Sequence, residues 1–138
     1  MAKTFTAPFA QTPQTATAVV TTAITGITST SPTDTVLLLT AGTDGCIVTS
    51  LAAIPRATTT AYSLCLFLSK DDGTTKHLID SELMAAQTVN TTTAIAETVF
   101  SRISESSPLR LAAGDKLYVG SQVAAANGIV FTAQYTDF

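Results

Sequence analysis

The chain has 138 residues, 46% hydrophobic and 12% charged, with 7 basic against 10 acidic side chains and a formal net charge of -3. That length suits one domain, and a chain of this size hides roughly 68% of its unfolded surface on folding, so a core forms without disulfide or metal staples. The acidic balance and scattered cations argue against a groove that tracks nucleic-acid phosphates, whose affinity comes from clustered Lys and Arg releasing counterions.

Roughly a fifth of the residues are Thr and a seventh Ala, while the charged share is about half the usual ~25%. Thr is β-branched and suits a half-wet pleated surface, so the composition reads as all-β protein with a hydroxyl-coated exterior. Scarce charge further suggests an exterior that meets other subunits. No run approaches the ~20 apolar residues of a membrane span: Ala16 to Ile27 is broken by Thr, and Val36 to Leu39 is too short. The first eight residues hold one cation and no apolar stretch, so no secretory signal is expected and folding in a cytoplasm follows.

In chain order, residues 1–15 carry Pro8, Pro13 and two large side chains, Phe5 and Phe9, and read as an extended arm preceding a single sandwich domain over 16–138. Two Phe in such a segment are costly to leave in water, which makes Phe5, Pro8, Phe9 and Pro13 the candidate contacts with a partner. Thr17 to Ile24 reads as a strand, followed by punctuation from Gly26 to Pro32. Thr35 to Thr40, the Gly42–Gly45 turn and Cys46 to Leu51 read as a hairpin. After the Pro55–Arg56 corner, Thr58 to Ser69 alternates Tyr62, Leu64, Leu66 and Leu68 with Ser63, Cys65, Phe67 and Ser69. The Lys70-Asp71-Asp72-Gly73 turn then returns Lys76 to Met84 antiparallel. Glu82 to Ala86 is compatible with a helical turn, Thr88 to Phe100 has β-friendly order, and Ser104 to Pro108 is a polar loop. Leu109 to Leu111, the turn Ala112 to Asp115, Lys116 to Gly120, an Asn127–Gly128 hairpin turn and Ile129 to Tyr135 complete the row. About eight strands and no long helix point to an antiparallel, jelly-roll-like β-sandwich.

Catalytic chemistry has little to work with. His77 is the only histidine, no G-x-S-x-G elbow is present, and an edge-strand His is the simpler reading. Cys46 and Cys65 lie in apolar runs and read as free buried thiols; with one His they offer no close-spaced zinc ligands. Asp71-Asp72-Gly73 lacks the alternating oxygens and distal Glu of a calcium loop, and the Gly42/Gly45 pair lacks the Lys-Ser/Thr ending of a phosphate loop. Asp80 and Glu82 share one strand face and read as solvated charges, and the Asn90 sequon matters only in a secretory pathway. No catalytic residue, metal or cofactor is expected.

The run Leu109-Arg110-Leu111-Ala112-Ala113-Gly114-Asp115-Lys116-Leu117-Tyr118-Val119 resembles the L-x-x-G-D-x-L-x-V segment of jelly-roll subunits of the tumour-necrosis-factor and C1q type and of many small phage virion proteins. In it Gly114 takes the tight corner and Asp115 caps it. Together with the Thr-rich start, the Ile54–Pro55 corner and the aromatic end from Phe131 to Phe138, the whole chain resembles a tailed-phage head decoration (cement) protein. The resemblance implies a non-enzymatic virion subunit on the capsid exterior, often a trimer, whose partners are copies of itself and the major capsid protein. The alternatives are a receptor- or glycan-binding module of a head fibre or tail tip, and a tail or neck structural protein.

Overall fold

The computed structural model describes residues 12–138. Its strands are β1 (Thr12–Val20), β2 (Val36–Thr40), β3 (Cys46–Pro55), β4 (Tyr62–Ser69), β5 (His77–Met84), β6 (Thr98–Val99), β7 (Leu109–Leu111), β8 (Lys116–Ser121) and β9 (Ile129–Asp137). One sheet runs β1-β9-β3-β6, with β7 also on β3; the other runs β2-β8-β4-β5, and all named strand pairs are antiparallel. No helix occurs among the described residues, so none is long and apolar enough to cross a membrane.

The two short strands β6 and β7 share the side of β3 that β9 leaves free, β7 against Cys46–Val48 and β6 against Ala52–Ala53. Taken as one interrupted strand, they leave eight, and the pairings β1·β9, β2·β8, β3·β6/β7 and β4·β5 join first with last, second with second-last, and so inward. This is a long antiparallel ribbon that wraps on itself, closing β9 on β3 and β8 on β4. The all-β sandwich expected from the sequence is therefore present, and in its jelly-roll order.

Between the sheets, Val48, Leu51, Ile129 and Phe131 from one side meet Leu64, Leu66, Leu117 and Val119 from the other. Phe100, held by its N–H on the Leu51 carbonyl at 2.9 Å, packs its ring 6.3 Å from that of Phe131. A smaller apolar layer lies on the outer side of β4, where Ile24 and Ile27 cover Cys65, Phe67 and Tyr118. The covering segment is anchored by Ile24 N–H on the Ser121 carbonyl (2.8 Å) and by Lys76 N–H on the Thr30 carbonyl (2.8 Å). That layer explains why β4 is apolar on both faces.

Several local readings need correction. β2 and β3 are not a hairpin: they belong to different sheets, and Gly42–Gly45 carries the chain across the sandwich. The same holds at Asn127–Gly128, because β8 and β9 are in opposite sheets. Thr88 to Phe100 is irregular except for β6, and Glu82 to Met84 ends β5 with no helical turn. The first strand lies earlier than expected, so residues 12–15 of the supposed arm are sheet, and Pro13 pairs with Thr136 on an edge strand, the place in a sheet where proline is tolerated.

Phe131 is fully buried in the middle of this core. Phe131→Ala should lower the unfolding free energy by about 3–5 kcal/mol, a large share of the ~5–15 kcal/mol typical of a domain, read as a shifted urea midpoint at unchanged slope.

Candidate functional site

One end of the sandwich gathers most of the residues singled out in the sequence. Thr12 and Pro13 open β1 there, opposite Asp137 and Thr136, and the chain preceding Thr12 is therefore attached at this end. Phe5, Pro8 and Phe9 lie outside the described residues. The same end holds the Gly42–Gly45 crossing, the Lys70–Thr75 turn and the Ala112–Asp115 corner. Asp44, Asp71, Asp72, Asp115 and Asp137 all belong to these segments, half of the 10 acidic residues of the chain.

The corner that carries the L-x-x-G-D resemblance is built on the Asp115 side chain, which is nearly buried. Its Oδ2 accepts the Ala112 N–H at 2.9 Å and the Lys70 ammonium at 2.6 Å, while the Asp115 N–H closes the turn on the Ala112 carbonyl at 3.1 Å. The Asp115 carbonyl takes the Ala41 N–H at 2.8 Å, and the Gly114 N–H reaches the Ala41 carbonyl at 3.3 Å. Gly114 adopts φ 76° and Asp115 caps the corner, as the sequence indicated. Both serve the geometry of the crossing between sheets.

Next to it, Ser69 Oγ accepts the Gly73 N–H (2.8 Å) and donates to Asp71 Oδ1 (3.0 Å), which also takes the Thr75 N–H (2.8 Å). The Thr75 hydrogen bonds hold the Asp71 carboxyl below the ordinary range, and Asp72, 2.6 Å from Lys116 Nζ, pushes that ammonium up. These carboxylates are spent on the turn itself. The Gly42 N–H donates to Asp137 Oδ1 at 3.2 Å, tying the crossing to the last strand. Among the described residues, no three His, Cys, Asp or Glu side chains converge as metal donors.

His77 stands exposed at the start of the edge strand β5, and Cys46 and Cys65 are free, buried thiols in different sheets. Asn90 Oδ1 accepts the Thr92 N–H at 3.0 Å in an exposed local turn. Asp80 overturns its reading as a solvated charge. Paired with Leu66, it faces inward on β5, its side chain only 5% exposed and 3.3 Å from Arg102 Nη1. Glu82 on the same face is half-buried and accepts the Ser101 hydroxyl at 3.3 Å. The missed signal was the segment around Phe100–Arg102, whose return over that face no local pattern announces.

Two substitutions separate backbone strain from close approach. Gly45 (φ 86°) and Gly114 (φ 76°) both sit in the left-handed region, but a side chain at Gly45 would meet the Leu111 carbonyl oxygen at 2.5 Å, whereas space around Gly114 is open. Gly114→Ala should cost about 1–2 kcal/mol and Gly45→Ala clearly more, measured by chemical unfolding.

Burial, then the nearby Asp137 and Asp115 charges, push the Cys46 thiol from 9.0 up to about 11. The unfolded chain therefore releases this proton first: stability is fully present below about pH 9 and falls as pH rises toward the folded value, by up to ~1.4 kcal/mol per unit. Cys46→Ala should lower stability at neutral pH yet show a shallower alkaline decline than the parent. Set against known proteins, the chain matches no family model, no curated protein and no solved structure.

Proposed function

We propose that the chain is a virion structural subunit, a decoration protein that sits on the exterior of a tailed-phage capsid and stabilises it. It works as a trimer of copies of itself bound to the major capsid protein, with no reaction to catalyse. The observation that carries this reading is a wrapped-ribbon sandwich with a charge-poor, hydroxyl-rich exterior, an architecture that recurs in viral capsid domains. Part of its charge is paired locally: Lys70 with Asp115, Lys116 with Asp72 and Arg102 with Asp80 form ion pairs. The exterior also carries isolated large apolar side chains such as Leu83, which is 69% exposed.

The segment before Thr12, with Phe5 and Phe9, supplies the grip on the shell from the acidic end of the sandwich. Each contact of ordinary size buries roughly 800 Å² per partner, and three linked subunits gain avidity from geometry. The full chain should sediment as a trimer and bind undecorated capsids of its own phage saturably. Removing residues 1–11, which leaves β1 whole, should abolish capsid binding while the trimer persists. Equal binding by the shortened chain takes the arm out of the account, a monomer takes out the trimer, and binding to glycans with none to capsids replaces the reading with a receptor-binding module.

A further inference from the structure

Residues directly opposite one another in a sheet point to the same side, and their neighbours along each strand point to the other. In the larger sheet Ala18, Phe131 and Ala53 form one such row, and all three lie in the core. The rows on either side of it therefore face outward. Val19, Val130 and Ile54 make one of branched aliphatics, and Thr17, Thr132, Ala52 and Val99 make the other. Val19 and Val99 are 41% and 47% exposed, and no described part of the chain covers these rows. Toward the acidic end the outward side chains of β1, β9 and β3 are hydroxyl, amide or apolar.

Charge is confined to the rim of this face. Asp137 is the one acid in its five strands, and it lies opposite the core residue Cys46 and accepts the Gly42 N–H, so it does not join the face. Arg110 on β7 is the single charge the strands turn outward, and Arg56 and Glu97 lie just beyond the ends of β3 and β6. An uncharged centre within a charged rim is the anatomy of a protein interface. The other sheet offers no such expanse, because Ile24 and Ile27 cover the middle of its outer side and Lys76 Nζ lies 4.5 Å from the centre of the Tyr118 ring.

The charge pattern also selects the occupant. Each chain has a formal net charge of -3, so two copies repel wherever their acids meet. Copies that turn this face toward one another set no carboxylate against another, whereas a partner of opposite charge gains nothing from it. Three strands of nine or ten residues, with β6 and β7 filling part of a fourth place, span about 500 Å² in flat projection. Pleat and side chains add to that, which brings the face to the order of the roughly 800 Å² per partner of a stable interface.

We propose that the outer face of the β1-β9-β3 sheet is where copies of this chain pack together, with the row from Thr17 to Val99 at the centre of the contact. This deepens the trimer of the reading above and rests on it for self-association alone, not for capsid binding.

The test is sedimentation of the full chain and of three single substitutions over a range of concentrations. Thr132→Glu sets a carboxylate in the middle of the face, and Thr17→Glu sets one on the exposed side of its edge strand. Thr28→Glu adds the same charge to the exposed segment that covers the other sheet. The parent and Thr28→Glu should associate alike, while both face variants should need at least about a hundredfold higher concentration, since opposed like charges at a contact cost heavily. Should Thr132→Glu lose its cooperative thermal transition, Thr17→Glu decides alone. Face variants that associate as the parent does, or a Thr28→Glu that dissociates equally, overturn this proposal and leave the trimer standing. A parent that is monomeric throughout overturns both. A parent dimer that the face variants dissolve upholds the face and removes the threefold count. Face variants that stay associated but no longer bind undecorated capsids assign the face to the shell, which also overturns the proposal.

Discussion

Alternation with a period of two lets each strand press one face against the opposite sheet, and a strand one residue out of step turns that face to water. β3 is long enough for this to matter. Cys46 and Val48 point into the core, and then Leu51, Ala53 and Pro55 do, a shift of one residue that strict alternation forbids. The register slip between Val48 and Ser50 against β9 absorbs the extra residue, so both halves of β3 bury the same face. A slip in β2 lets Leu38 and Leu39 both face inward, and the one in β5 turns both Ile79 and Asp80 toward a cavity that Arg102 also lines. The joining of the two sheets depends on these corrections more than on any one contact.

The crossings at the acidic end follow from the same constraint. A ribbon that wraps must pass from one sheet to the other, and each passage leaves backbone groups without a ladder partner. Asp115 and Asp137 fill that need with side-chain oxygens, binding Ala112 and Gly42 N–H groups at two different crossings. Asp71 does the same for the turn between β4 and β5. A chain with only 10 acidic residues thus commits several of them to backbone.

What the sequence revealed, and what it concealed, divides along the range of the interaction. The runs Tyr62–Ser69, Lys116–Ser121 and Ile129–Asp137 announce themselves by β-branched and aromatic alternation, and Gly45, Gly73, Gly114 and Gly128 mark reversals where positive φ is needed. A reversal, however, has the same local chemistry whether the chain returns beside itself or crosses to the facing sheet, so both supposed hairpins were misjudged. The Thr-rich stretch from Thr88 misled for a related reason: β propensity reflects packing on a neighbour, and only Thr98–Val99 finds one, on β3. The corner at Gly114–Asp115 was legible because Gly and Asp act within four residues. The burial of Asp80 was not, since it depends on Arg102 and Ile103 arriving from another part of the chain.

The open edges narrow how copies of such a sandwich meet. An unpaired strand edge is a template for pairing with another chain, and each edge here is blunted. β1 carries Pro13, β2 and β5 are bulged, Asp80 turns a charge inward on β5, and the far side of β3 holds only the short β6 and β7. Continuous sheet between subunits is thereby disfavoured. The exposed Leu37, Leu78 and Leu83 of β2 and β5, by contrast, are strand side chains that nothing in the described chain covers, with Val19 and Val99 on the other sheet. The proposed trimer would therefore be held by side chains packing face to face, and its stability would follow apolar area buried at those positions, leaving the backbone ladders of each sandwich as they are.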